Sequence, residues 1–180
     1  MNKRRLPGDP APKADLDRML RVDHAGEFGA VRIYEGQLAV LGKSAKATTI
    51  RHMAAQEREH LKQFDELLSE RQVRPTVLTP VWHVAGFALG AGTALLGEEA
   101  AMACAVAVEE VIDAHYADQI EDLGDSEKEL RETFERFRQE EVEHRDIGLA
   151  NNAESAPGYA PLTGVIKAGS KLAIWLSERI

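Results

Sequence analysis

The tetrapeptide Glu57-Arg58-Glu59-His60 returns later in the chain as Glu141-Val142-Glu143-His144. Of the six histidines, only His60 and His144 have a glutamate three residues earlier. On an α-helix that spacing puts carboxylate and imidazole on one face. Each pair also interrupts an apolar stripe that steps by three and four. The first runs Ile50, Met53, Glu57, His60, Phe64, Leu67, and the second Phe134, Phe137, Glu141, His144, Gly148. Two helices are predicted, each turning a Glu-His pair toward the core of a bundle. A buried carboxylate without a partner is costly, and a metal ion is one of the few partners that offset the cost.

A dimetal carboxylate centre in a four-helix bundle takes a lone glutamate from two helices and a Glu-x-x-His from the other two. Glu27 precedes Glu57 by 30 residues with Gly42 midway, and Glu109 precedes Glu141 by 32 with Asp125 midway. Residues equidistant from the turn of an antiparallel hairpin lie at one height, here about 22 Å from it at 1.5 Å per residue. The six candidate metal ligands are therefore Glu27, Glu57, His60, Glu109, Glu141 and His144, with Glu57 and Glu141 placed to bridge. Glu27 with His60 would complete one metal, and Glu109 with His144 the other. Glu109 is preferred to Glu110 because it shares its face with Met102, Val106, Ile112 and Tyr116. Four carboxylates and two imidazoles suit iron or manganese better than a closed structural zinc. With open positions, such a pair of ferrous ions can bind O2.

Asp23 and Asp113 each lie one turn from a lone glutamate, where either could orient a ligand histidine. Tyr34 and Tyr116 each follow a lone glutamate by seven residues, close enough to approach the metals, although core packing is the more ordinary use of such spacing. Glu59, Glu140 and Glu143 fall off the inward faces and are expected in solvent.

The remaining chain supplies an all-α frame: the four-helix bundle, an apolar crossover helix and a C-terminal amphipathic helix. Residues 1–14 read as a flexible lead-in, and 15–180 as one domain. Helices are expected from Asp15, as N-cap, to Leu41, from Ala45 to Arg71, from Glu98 to Leu123, and from Ser126, which forms a capping-box pattern with Glu129, to Asn151. Gly26 and Gly29 beside Glu27 would let a helix or ligand approach closely. Between Pro75 and Gly97 no residue carries a full charge. Its core, roughly 76–97, is long enough for a bilayer span, but proline, histidine and glycines dilute it. A helix lying in a membrane interface or lining an apolar channel is the preferred reading, ahead of a span or a buried crossover. After Pro157, Gly158 and Pro161, the segment Leu162–Ile180 aligns Val165, Ala168, Leu172, Trp175 and Leu176 on one side, against the bundle or a lipid surface.

A formal charge of −8 argues against generic nucleic-acid binding, which needs a basic face. A single cysteine excludes an internal disulfide and fits a reducing compartment. Lys3-Arg4-Arg5 is not followed by an apolar run, so no secretory signal is visible and the cytoplasm is the default.

Four stretches carry a family resemblance: Arg21-Val22-Asp23-His24-Ala25-Gly26-Glu27, Arg74-Pro75-Thr76-Val77-Leu78, the run Gly86–Gly97, and Leu176-Ser177-Glu178-Arg179. They resemble the demethoxyubiquinone hydroxylases, and the likeness covers nearly all the chain beyond the first dozen residues. The resemblance implies a ferritin-like fold and a di-iron centre on the six ligands named above. It implies O2-dependent ring hydroxylation of a polyprenylated methoxy-methyl-benzoquinol, with O2 as co-substrate and reduction linked to NADH. It also implies a peripheral membrane protein, on the cytoplasmic face of a bacterial inner membrane or in the mitochondrial inner membrane. Other ubiquinone-biosynthesis proteins or a second copy of the chain are the further partners it suggests. No Gly-x-Gly-x-x-Gly follows a strand, so no familiar dinucleotide-binding domain is expected.

Two other functions share parts of this pattern. A ferritin- or rubrerythrin-like iron- or peroxide-handling protein would use the same six ligands, but would need neither the uncharged crossover nor the Trp-bearing last helix. A non-catalytic assembly module would have no reason to keep all six ligands.

Overall fold

The computed structural model describes residues 13–123 and 127–180, and among them every regular element is helical. Six α-helices follow in order: α1 Lys13–Leu41, α2 Ala47–Arg71, α3 Thr79–Leu95, α4 Glu98–Asp122, α5 Lys128–Ala150 and α6 Tyr159–Ser177. A 3-10 turn, Ala153–Ser155, joins the last two. Helices α1, α2, α4 and α5 form the bundle, with α1 on α2, α4 on α5, and α1–α4 and α2–α5 closing it. α3 lies on α1 and α4, and α6 on the same two helices.

The sequence stripes explain the packing. Ile50, Met53, Glu57, His60 and Phe64 of α2 are all buried, as are Phe134, Phe137, Glu141, His144 and Gly148 of α5. Apolar clusters fill the bundle on both sides of the polar layer. Phe64, Tyr116, Phe134 and Phe137 belong to one, and Tyr34, Ile50, Met53, Met102 and Val106 to the other. α4 is buried almost continuously from Ala100 to Glu109, because bundle helices cover one side and α3 and α6 the other. Its alanines let all these neighbours come close.

Helix α3 docks on α1 backbone to backbone. A β-carbon on Gly90 would collide with the carbonyl oxygen of Ile33, and one on Gly36 with that of Phe87. Gly97, at φ 129°, makes the sharp link from α3 to α4, a conformation that favours glycine.

Several boundaries differ from the sequence expectation. α1 is already helical at Lys13, so Asp15 sits within the helix, paired with Arg18 at 3.3 Å, and does not cap it. α2 begins at Ala47 because Ser44 Oγ accepts the Lys46 N–H at 3.1 Å in the preceding turn. Pro161 does not break the chain but lies in the first turn of α6, where its missing N–H leaves nothing unsatisfied. Residues 1–12 and the Ser126 end of the expected capping box lie outside the described residues.

The outer helices present their apolar stripes outward. Val77, Val84, Leu95 and Leu96 in and around α3 are 65–74% exposed, and Val165, Leu172 and Trp175 of α6 are 50–73% exposed. α6 meets the bundle with Leu162, Thr163 and Ile166 instead. Among the described residues, no helix is long and apolar enough to cross a membrane.

Candidate metal centre

The mid-bundle layer collects six buried polar side chains, each at most 1% exposed. Glu27 comes from α1, Glu57 and His60 from α2, Glu109 from α4, and Glu141 and His144 from α5. They converge as two groups of four: Glu27, Glu57, His60, Glu141, and Glu57, Glu109, Glu141, His144. Within each group one donor atom per residue lies within 4.8 Å of the others, and Glu57 and Glu141 belong to both. Each histidine presents Nδ1 to the layer. His60 Nδ1 is 3.2 Å from Glu141 and 3.3 Å from Glu27, and His144 Nδ1 is 2.9 Å from Glu57 and 3.5 Å from Glu141.

These approaches are close but badly aimed for hydrogen bonds. Both oxygens of Glu57 and of Glu141, one oxygen each of Glu27 and Glu109, and both Nδ1 atoms have no hydrogen-bond partner. Buried polar groups of folded proteins almost always find one. Eight such orphans aimed at one small volume fit a cation pair, which accepts carboxylate oxygens and imidazole nitrogens without requiring hydrogen-bond angles.

The electrostatics agree. Burial, then the charge of Glu141, lifts the Glu57 and Glu109 carboxyls well above their ordinary range. Burial also acts to raise Glu141, but its two histidines overrule it and hold the carboxyl down to about 2. For His60, burial acts downward, and the carboxylates of Glu141, Glu27 and Glu57 push it up to about 12. Burial and mutual repulsion work against charge on Glu57 and Glu109, whereas two divalent cations would balance four carboxylates.

Two tyrosines tie the lone glutamates in place. Tyr116 on α4 donates to Glu27 Oε1 at 2.5 Å, and Tyr34 on α1 donates to Glu109 Oε1 at 2.6 Å. Burial and the adjacent carboxylates keep both phenols protonated, with pKa values well above the usual tyrosine range. Both uses that the spacing allows are realised: each tyrosine is buried in an apolar cluster, and each also bonds a lone glutamate.

Neither Asp23 nor Asp113 reaches His60 or His144: Asp113 accepts from Arg138 at 2.6 Å, and Asp23 accepts from Gln119 at 2.8 Å with His115 3.2 Å away. The outward nitrogens meet residues that periodicity had sent to solvent or passed over. His60 Nε2 contacts Glu140, and His144 Nε2 lies 3.1 Å from Gln56. Their signal is position: Gln56 and Glu140 stand immediately before the two motif glutamates. Glu110 turns away from the layer to pair with Lys167 of α6.

An apolar cavity of about 320 Å³ opens between α1, α3, α4 and α6. Gly26, Gly29, Ile33, Leu89, Val108 and Ala173 are among its lining residues. A β-carbon on Gly26 or Gly29 would meet nothing within 4 Å, so these glycines leave room beside Glu27. Gly26 and Val108 are the chain neighbours of Glu27 and Glu109, so the cavity backs onto the two helices that carry the lone glutamates. Trp82 of α3 donates to Ser177 of α6 at 3.0 Å at its rim.

Fold and centre together define a ferritin-like helical bundle with a carboxylate–histidine cluster at mid-height. More narrowly, the chain belongs to the family of ubiquinone biosynthesis protein COQ7, matched over residues 14–177. It is 65% identical over 177 residues to the 3-demethoxyubiquinol 3-hydroxylase of Rhodospirillum rubrum, covering 98% of this chain and 84% of the relative. It is 57% identical over 176 residues to the human mitochondrial NADPH-dependent 3-demethoxyubiquinone 3-hydroxylase, at 96% and 81% coverage. Identity to the mitochondrial 5-demethoxyubiquinone hydroxylase of Saccharomyces cerevisiae is 42% over 187 residues, at 94% and 80% coverage.

Proposed function

We propose that this chain is a di-iron monooxygenase that hydroxylates the ring of a demethoxyubiquinol, the substrate class named in its relatives. The observation that carries the reading is the layer of eight orphaned buried donor atoms beside an apolar cavity. Glu27, Glu57, His60 and Glu141 would hold one iron, and Glu57, Glu109, Glu141 and His144 the other, with Glu57 and Glu141 bridging. When bound, the iron pair supplies the reductive activation of O2. One oxygen atom enters a ring C–H bond and the other leaves as water, which takes two electrons and two protons from an external reductant. A reduced nicotinamide dinucleotide fits that role. The human relative is named as NADPH-dependent, where resemblance alone had suggested NADH.

The chain's own residues perform the rest. Tyr116 and Tyr34, as protonated donors, fix the lone glutamates in orientations that leave their second oxygens free for metal. The apolar cavity excludes water beside the centre and accepts a ring with its hydrocarbon tail. The outward apolar stripes of α3 and α6, which flank the cavity, would rest on the lipid surface where such a tail resides, making the protein a peripheral membrane enzyme. An iron-storage or peroxide-handling protein shares the centre but has no use for the cavity or these stripes.

The test is single-turnover chemistry. Anaerobically iron-loaded protein is mixed with a short-tailed demethoxyquinol and O2, and the product is read by mass. Two irons per chain and hydroxylated quinol, absent in Glu57→Ala and Glu141→Ala, are expected. Iron oxidised with the quinol untouched would replace this reading with the iron-handling one.

A further inference from the structure

We propose that Glu140 and Gln56 make the two halves of the centre inequivalent, with Glu140 a positioning residue that tightens metal binding on the His60 side. The inference deepens the proposed function and rests on its assignment of the centre. Both ligand imidazoles turn Nδ1 inward, toward the shared carboxylates, and keep Nε2 for a neighbour. The neighbours are exchanged between helices. His60 of α2 meets Glu140 of α5, and His144 of α5 meets Gln56 of α2 at 3.1 Å. Each partner stands one residue before its own helix's bridging candidate, Gln56 before Glu57 and Glu140 before Glu141. The six ligand candidates and their two tyrosine ties follow the bundle's pseudo-twofold repeat, and the outer partner of each histidine is the part that differs in charge. That part is a carboxylate in one half and a neutral amide in the other.

The chemical consequence follows from the tautomer. A metal on Nδ1 leaves the proton on Nε2, so both histidines donate outward. A carboxylate acceptor forms the stronger, charge-assisted bond and makes the imidazole a better electron-pair donor to the metal; an amide oxygen does so less. The His60 ring is further held by Phe137, with centroids 4.1 Å apart. Its outer edge, with Glu140, opens on a polar groove of about 270 Å³ that Lys62 and Arg136 also line. The groove lies on the α2–α5 side of the bundle, away from the apolar cavity between α1, α3, α4 and α6. The His60 half therefore combines the more strongly donating imidazole with the groove side, and should fill first.

The experiment titrates metal-free protein anaerobically with Fe2+, with affinities from calorimetry and iron environments from Mössbauer spectra of 57Fe-loaded samples. Wild type is expected to bind two ions per chain in unequal steps and to show two distinct quadrupole doublets. Glu140→Gln should weaken the tighter step alone, by roughly 10–100-fold, and move only one doublet. Gln56→Glu should tighten the weaker step and bring the doublets together, and it decides the matter if Glu140→Gln does not fold by far-UV dichroism. Wild type binding two ions, with the variants shifting both steps alike or neither, would overturn the inference and leave the centre intact. A wild type that binds no ion pair would overturn the assignment of the centre, and this inference with it.

Discussion

Tyr116 of α4 donates its phenolic hydrogen to Glu27 of α1 at 2.5 Å, and Tyr34 of α1 answers with a bond to Glu109 of α4 at 2.6 Å. Each tyrosine follows one lone glutamate by seven residues and serves the other, so α1 and α4 are cross-tied at the level of the centre. Tyr116→Phe would leave a buried carboxylate oxygen without a donor, at about 1–3 kcal/mol. Metal-free protein is expected to lose that much stability in urea unfolding. The iron-loaded form should lose less, because Glu27 then has the metal as a second partner. Equal losses in both forms would contradict the placement of Glu27 at the metal.

The pH dependence follows from the same crowding. Glu57, Glu109 and His60 all have folded pKa values above their ordinary ones. The folded state then binds more protons than the unfolded chain, so stability falls as pH rises. For the glutamates the fall begins above about pH 4.5, and for His60 it runs from about 6.5 toward 12. Glu141, held down to about 2, works the opposite way, but only below about pH 4.5. Metal-free protein should therefore lose stability steadily from pH 5 to pH 9. Metal ligands must be deprotonated, so the metal-bound form resists this loss. The gap in Tm between Mn2+-loaded and metal-free protein should widen with pH, as read by calorimetry; a constant gap would refute the protonation scheme.

The convergence of six buried polar side chains in one layer could be read from the sequence because its geometry is local. A spacing of three within a helix and equal distances from two turns placed Glu27, Glu57, His60, Glu109, Glu141 and His144 on inward faces without any tertiary information. Asp23 and Asp113, offered by spacing as possible histidine partners, meet other residues, because proximity along a helix does not say which neighbouring helix a side chain reaches. Asp113 is taken by Arg138, 25 residues away, and Glu140, off the apolar stripe, reaches across to His60, 80 residues away. The amphipathic stripe of α6 was read correctly as a stripe, but periodicity cannot tell a face that packs from one left bare. Here Thr163, Ile166 and Ser177 of α6 face the bundle, while Val165, Leu172 and Trp175 remain outside.

The seating of α3 on α1 depends on two missing side chains. Gly90→Ala would push a methyl into the Ile33 carbonyl, and the helices would have to separate. We expect about 1–3 kcal/mol of destabilisation, typical of overpacking, together with lower activity because α3 walls the cavity. Gly92→Ala is the matched control. It is exposed, a β-carbon there meets nothing within 4 Å, and alanine favours helix by up to about 1 kcal/mol. Thermal unfolding should place the two variants on opposite sides of wild type. If both behave alike, the helix contact is not the cause.

The bare stripes of α3 and α6 make the proposed membrane contact testable. Val84, Leu172 and Trp175 are 66%, 56% and 50% exposed on helices that flank the cavity, and the formal charge is −8. The membrane contact proposed above would then be driven by apolar insertion more than by attraction to anionic headgroups. Co-sedimentation with uncharged phosphatidylcholine vesicles should be substantial and change little with salt. Burying a valine or leucine contributes about 1.5–3 kcal/mol, so Val84→Asp or Leu172→Asp should each weaken vesicle binding tenfold or more. Tm should be nearly unchanged, since neither side chain is part of the core. Hydroxylation of a detergent-soluble short-tailed quinol should survive these substitutions, while turnover of a long-tailed quinol in vesicles should fall with binding. Vesicle binding that disappears at high salt, or that ignores both substitutions, would move the membrane contact to another face.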